Sequence, residues 1–382
     1  MSVDPLAPES VLQVLGDLIR IPSINPSLGE AGALGEKEVA SFAVRWLEER
    51  GVTARLEEVA PGRPNAVGEV GDGHGPTLVL CAHLDTVGVA GMTIPPYEPA
   101  FRQGRVYGRG SYDMKSGVAA VMSAVASLAG EPLRGKVMVA LVADEEYTSL
   151  GAERFVESHH ADGCILTEGS EGRLVLAHKG FVWVDVVTKG RAAHGSRWDL
   201  GRSAIGIMGR IIAALEDFDA RELRKRVHPL VGPASMHASM VEGGVGLSTY
   251  APACTLTIER RTLPDEPPER VMEEIAGIAK GIDPGTEVTL RFARAPLLTD
   301  REAPLARCVR DSVSSVVGSA PEEIGVGYWM DAAVFAGAGI PSVNYGPSGS
   351  GAHEAVEWVE ADSVVTCARV LRESALRFLS QR

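Results

Sequence analysis

What this chain lacks narrows it first. No C-x-x-C pair occurs, and the five cysteines (Cys81, Cys164, Cys254, Cys308, Cys367) are odd in number and widely spaced. That pattern supports neither a disulfide framework nor a thiolate zinc site, and points to reduced thiols. No apolar run approaches the roughly 18 residues of a membrane span. Met1-Ser2-Val3-Asp4-Pro5 has neither the basic flank nor the apolar core of a signal peptide. Together these absences predict a cytoplasmic protein with no membrane partner. A basic surplus is missing too: the formal net charge is -13, which argues against nucleic acid, because phosphate binding depends on excess Lys and Arg. The acidity reads as solvated surface. There is no internal repeat and no low-complexity segment.

What is present is enough apolar material for two cores, with 45% hydrophobic residues over 382 positions. Val11, Leu12, Leu15, Leu18 and Ile19 follow helical spacing over Glu9–Arg20, stopped by Pro22. Glu36–Arg50 behaves likewise and ends at Gly51. Thr77–Ala82 and Lys136–Ala143 are nearly continuous apolar runs, as strands buried on both faces read, with a helix-like Met114–Leu128 between them. Strands alternating with helices predict a mixed, mostly parallel sheet flanked by helices, an α/β fold.

After Lys179 the pattern changes. Phe181–Thr188, Ser235–Met240, Cys254–Arg260 and Glu287–Phe292 read as strands, while Ser203–Leu215 and Pro268–Lys280 read as helices. This β-α-β-β-α-β order suits an α+β two-layer sandwich. Alternation resumes from Pro304, through Pro341–Tyr345, to a closing helix near Asp362–Leu379. The expected organisation is a catalytic domain in two parts, 1–179 and 293–382, with an inserted domain at 180–292.

Six acidic and imidazole residues follow apolar, strand-like or glycine-rich runs: His83, Asp113, Glu145, Glu146, Glu168 and His353. Open parallel sheets bind ligands outside the carboxyl ends of their strands. Two imidazoles and several carboxylates brought there can hold two divalent cations and leave one carboxylate to work on water. Each residue also has a bland reading. His83, in the H-x-D of His83 and Asp85, could be a hydrogen-bonded structural histidine. Asp113 closes Gly108-Arg109-Gly110-Ser111-Tyr112-Asp113 just before a helix, where it could serve as an N-cap. Asp144-Glu145-Glu146 could be a solvated acidic turn. On extended backbone, however, Glu145 and Glu146 point to opposite sides, so one can bind metal while the other addresses water. Joint coincidence of the bland readings across five sites is improbable.

Other motifs are approached and missed. His353-Glu354-Ala355-Val356-Glu357 lacks the second His of H-E-x-x-H, and Gly346–Ser350 lacks the final Gly of G-x-S-x-G. The third glycine of G-x-G-x-x-G falls on Asp113 itself.

In their order, these motifs resemble the dinuclear-zinc family of acetylornithine deacetylase, succinyl-diaminopimelate desuccinylase and glutamate carboxypeptidase. The likeness runs from Leu18-Ile19-Arg20-Ile21-Pro22-Ser23 through His83-Leu84-Asp85-Thr86, Gly108–Gly117, Asp144-Glu145-Glu146 and Lys189-Gly190-Arg191-Ala192-Ala193-His194 to Ala352-His353-Glu354. It implies an aminopeptidase-like catalytic domain with the insert as lid. His83 and Glu168 are implied on one zinc, Glu146 and His353 on the other, and Asp113 between them. By the same likeness Asp85 is expected to brace His83, and Glu145 to act as the general base. His194 is implied to stabilise the oxyanion, often in the partner subunit of a homodimer built through the insert. Arg261, in Glu259-Arg260-Arg261-Thr262-Leu263-Pro264, engages a substrate carboxylate; a salt bridge to Glu259 is the plain alternative. Cobalt or manganese suit the same donors as zinc.

The implied activity removes an acyl group from an N-acyl amino acid. A dipeptidase or carboxypeptidase with the same centre is the alternative, and a non-catalytic metal-binding scaffold comes last, since it has no use for Glu145. Three positions depart from the family pattern: Thr249 stands where many relatives have Asn, Trp198 where Pro is frequent, and Asp265 where Gly follows the proline.

Overall fold

Helix Pro8–Arg20 forms where the spacing predicts it, burying Val11, Val14, Leu15, Leu18 and Ile19 on one stripe, with Pro in the first turn and Arg20 in the last. The computed structural model describes residues 4–29 and 33–380. Helix Lys37–Glu48 starts one residue later than Glu36. The Glu36 carboxylate is instead drawn into a buried pair with Arg63.

Two units emerge: one of residues 1–176, 299–324 and 330–382, the other of 177–298 and 325–329. In the first, strands Lys136–Val142, Thr77–His83, Gly163–Leu166 and Ser342–Asn344 lie side by side in that order, all parallel. The hairpin Thr53–Ala60 and Arg63–Gly71 adds antiparallel beyond Lys136–Val142. Leu174–His178 adds antiparallel beyond Ser342–Asn344. The sheet is therefore mixed around a parallel centre, and the apolar runs are buried on both faces.

Every residue of helix Lys115–Ala126 is buried. Its Ala, Gly, Ser and Val side chains let it pack between strand Thr77–His83 and helices Pro8–Arg20 and Ala361–Ser380. Each Val or Leu buried this way contributes about 1.5–3 kcal/mol. A small second sheet joins Gly349–Ser350, Trp358–Glu360, Arg105–Tyr107 and Ala100–Arg102.

The second unit is a four-stranded antiparallel sheet in the order Ser235–Gly243, Ala253–Thr262, Gly180–Lys189, Glu287–Arg294. Helices Ala204–Arg221 and Pro268–Ile282 pack on one face, against Val182, Val184, Val186, Leu256 and Ile258. Ser203 starts the first of these helices, its Oγ accepting the Gly206 N–H at 3.1 Å. That helix runs six residues past Leu215 because its polar last turns lie at the surface. The edge strand Ser235–Gly243 is exposed from His237 onward. Among the described residues, no helix is long and apolar enough to cross a membrane.

Candidate metal centre

The parallel strands all end on one edge of the sheet, and His83, Glu145, Glu146 and Glu168 leave from those ends. His83 is the last residue of its strand, Glu145 and Glu146 follow Lys136–Val142, and Glu168 lies two residues past Leu166. Asp113 and His353 come from loops flanking the small second sheet. Asp113 does not cap a helix: Met114 takes that position, and no side chain caps Lys115–Ala126.

Asp113 joins two imidazoles. Its Oδ1 lies 3.1 Å from His83 Nε2, and its Oδ2 lies 3.2 Å from His353 Nε2. On the His83 side, Glu168 Oε1 is 3.4 Å from Nε2; on the other, Glu146 Oε2 is 3.0 Å from His353 Nε2. Two potential metal-ligand groups result, His83 with Asp113 and Glu168, and Asp113 with Glu146 and His353. Glu145 Oε2 stands further off, 3.9 Å from His83 Nε2.

The tautomer of His83 follows from its other nitrogen. Nδ1 lies 2.9 Å from the Asp85 carbonyl oxygen, which can only accept. In a neutral ring Nε2 then holds a lone pair, facing the oxygens of Asp113 and Glu168. Lone pair against carboxylates is repulsive unless positive charge lies between them. Asp85 itself is buried, and its carboxylate accepts the main-chain N–H of Glu145 at 3.2 Å and of Glu146 at 3.1 Å. It braces His83 through its carbonyl while its side chain fixes the two glutamates.

The electrostatics point the same way. Burial works against charge on His83, but Glu168, Asp113 and Asp85 overcome it and hold the imidazole well above its ordinary value. Hydrogen bonds to Asp113 and Glu146 raise His353 to about 10. Burial, with Asp113 beside it, pushes Glu146 up to about 7. Burial also raises Glu145 and Glu168. Asp113 is lowered despite its burial, because His353 and His83 flank it. Left alone, this cluster takes up protons. One buried atom, Glu146 Oε1, has no hydrogen-bond partner among the described residues. The donor set and that orphaned oxygen both fit divalent cations.

Several supporting residues were not singled out from sequence. Asn25 Nδ2 donates to Asp85 Oδ2 at 2.8 Å and to Asp144 Oδ1 at 3.1 Å. Arg63 Nη1 donates to Asp144 Oδ1 at 2.7 Å, and its Nε donates to Glu36 Oε2 at 2.9 Å. So the first acid of Asp144-Glu145-Glu146 turns away from the cluster into a compensated network, which removes the repulsion three successive acids would suffer. Asp331, buried before helix Ala332–Gly337, adds to the field that raises Glu145.

His194 and Arg261 belong to the second unit. The exposed His194 accepts the Ser196 N–H at Nδ1 (3.3 Å), which in a neutral ring leaves the proton on Nε2. Thr249 pairs with His194 through an isolated β-bridge, and Trp198 is 80% exposed. Arg261 Nε donates to Glu259 Oε1 at 2.8 Å, the plain alternative raised for it, and its guanidinium lies 5.4 Å from the centre of the Phe181 ring. Arg260 points to the buried side and pairs with Glu266 at 2.7 Å.

Comparison with known proteins adds to the geometry. The pattern of Peptidase family M20/M25/M40 matches residues 79–377. Acetylornithine deacetylase of Myxococcus xanthus is 28% identical over 390 residues, covering 95% of this chain and 99% of that protein. A probable succinyl-diaminopimelate desuccinylase of Staphylococcus epidermidis is 23% identical over 414 residues, covering 98% and 99%. The crystal structure of aminopeptidase PepT from Bacillus cereus matches with a TM-score of 0.81 at 18% identity, covering 99% of this chain and 100% of that one. That last likeness speaks for the fold alone.

Proposed function

The chain belongs to Peptidase family M20/M25/M40, and from that premise we propose that it is a dinuclear metal-dependent amidohydrolase that removes an acyl group from an N-acyl amino acid. The observation that carries this reading is the pair of ligand groups sharing Asp113, with Glu145 standing beside them. His83 and Glu168 would hold one cation, Glu146 and His353 the other, with Asp113 common to both. Zinc is the proposed metal, and cobalt or manganese suit the same donors. When bound, such cations supply a water acidic enough to attack near neutral pH and polarise the amide carbonyl.

The remaining work falls to the chain's own side chains. Glu145 takes the proton of the attacking water and returns it to the departing amine. Its buried position holds its pKa above that of an ordinary glutamate, as both steps require. His194 offers its Nε2–H to the oxyanion that develops on the carbonyl oxygen. Arg261, released from Glu259, binds the substrate carboxylate.

Two relatives similar over nearly their whole length are a deacetylase and a probable desuccinylase, which favours acyl transfer to water over peptide cleavage. A metallo-dipeptidase or carboxypeptidase with the same ligand set is the second reading. A panel of N-acetyl, N-succinyl and dipeptide substrates separates them: turnover of acyl amino acids is expected, and turnover of dipeptides alone would reverse the assignment. The five cysteines are free and buried, in keeping with a reducing, cytoplasmic setting. The exposed edge strand Ser235–Gly243, with Met240 67% and Val241 61% exposed, supports a homodimer formed through the second unit, which we take as the lid.

A further inference from the structure

Glu357 lies four residues beyond His353, and its side chain is fully buried. Four donors converge on it. Oε2 accepts from Arg109 Nη1 at 2.7 Å and from the Gly110 N–H at 2.9 Å; Oε1 accepts from the Tyr112 N–H at 2.8 Å and the Asp113 N–H at 2.9 Å. The turn that carries Asp113 is thus wrapped around one carboxylate. Arg109 completes a clasp: its Nη2 donates to the Glu354 carbonyl at 3.2 Å and its Nε to the Gly88 carbonyl at 3.1 Å. The Gly108 N–H donates to the main-chain oxygen of Glu357 at 3.2 Å.

The two sides of the metal centre are held differently. His83 is buried and fixed by Asp85. His353 is 56% exposed at its side chain and has a left-handed backbone with φ 62°, so neither packing nor local preference fixes it. Beyond the pairing of Trp358–Glu360 with Arg105–Tyr107, its loop is tied to the Asp113 turn by the Glu357 and Arg109 clasp.

We propose that Glu357, paired with Arg109, is a positioning residue for the metal centre: it locks the Asp113 turn to the His353 loop, so that the cation on the His353 side binds tightly only while the lock is intact. This rests on the reading above that Asp113, Glu146 and His353 hold a cation. The lock needs both carboxylate oxygens as acceptors. A glutamine has one, and its amide group would turn N–H toward N–H.

The test is zinc binding to the metal-free full-length chain, read as stepwise dissociation constants against a chromophoric chelator, with circular dichroism to establish folding. The wild-type chain is expected to bind two zinc ions. Glu357→Gln should weaken the looser step by about 10- to 100-fold, the usual cost of losing a hydrogen-bond partner behind a metal ligand, and the tighter step, which keeps the buried His83 and Glu168 beside the shared Asp113, by less. A folded Glu357→Gln chain with a wild-type second constant would overturn the proposal, even if it melted earlier, because a purely structural role lowers melting temperature alone. If that variant does not fold, Arg109→Lys decides, since lysine keeps the charge but cannot span Gly88, Glu354 and Glu357 together. A weaker second step supports the lock, and an unchanged one overturns it. Failure of the wild-type chain to bind a second ion would instead refute the centre itself, and two bound ions without amide hydrolysis would refute only the functional reading.

Discussion

Glu145 and Glu146 are consecutive in the chain, yet their carboxylates face different imidazoles: Glu145 Oε2 lies 3.9 Å from His83 Nε2, and Glu146 Oε2 lies 3.0 Å from His353 Nε2. One carboxylate is within ligand distance of its neighbours and the other stands back. That difference supports the proposed division between a ligand and a base, and Asp85 holds both residues by accepting their main-chain N–H groups.

Asp85→Ala should therefore loosen both glutamates while leaving the carbonyl that braces His83 in place. Metal affinity is expected to fall by about 10- to 100-fold, measured by zinc titration, while the fold persists. Unchanged affinity would mean that the Asp85 carbonyl alone braces the centre.

Arg63 stands between two buried acids, Glu36 and Asp144. Replacing it with methionine leaves both charges without their partner, and breaking a buried pair this way costs about 3–5 kcal/mol. Urea denaturation of Arg63→Met should show a loss of that size. A loss below about 1 kcal/mol, the worth of an exposed pair, would show that the network is solvated.

Stability should depend on pH in opposite senses with and without metal. His353, raised to about 10 from an ordinary 6.5, stabilises the metal-free fold fully below about pH 6.5, and that contribution disappears as pH rises through about 10. Glu146, raised to about 7 from 4.5, acts in the same direction, since the folded chain keeps a proton the unfolded chain releases. Cations need these ligands deprotonated, so their stabilisation grows with pH. Under chelator, the excess melting temperature of wild type over His353→Ala should shrink from about pH 6 to 10; in excess zinc it should widen from about pH 6 to 8. Equal pH profiles would contradict the assignment of His353.

His194 should matter to turnover and not to metal. Losing one oxyanion donor costs about 10²- to 10³-fold in kcat, and His194→Ala is expected to show it with two cations still bound. Thr249, paired opposite His194, is the position at which to look for altered acyl preference. A wild-type kcat in His194→Ala would remove this histidine from the mechanism.

The candidate ligands His83, Glu146 and Glu168 carry a local signal, since they sit at or just past apolar runs that read as buried strands. Their supports carried no such signal. Asn25 reaches Asp85 across 60 residues and Asp144 across 119, and only the fold brings them together. Glu357 stands in His353-Glu354-Ala355-Val356-Glu357, a run whose local pattern is only an incomplete H-E-x-x-H, and its partners lie 244 to 248 residues away. The N-cap reading of Asp113 failed for the same reason: the groups that shape its turn come from Glu357. The hairpin Thr53–Ala60 and Arg63–Gly71 was not resolved from sequence either, since its first strand is charged and half-exposed.

The most direct test replaces the standing carboxylate alone. Glu145→Gln should bind two cations per chain with wild-type affinity and lose about 10²- to 10⁴-fold in kcat on its best acyl amino acid substrate. Retained turnover, or the loss of a cation together with activity, would contradict the division of Glu145 and Glu146 into base and ligand.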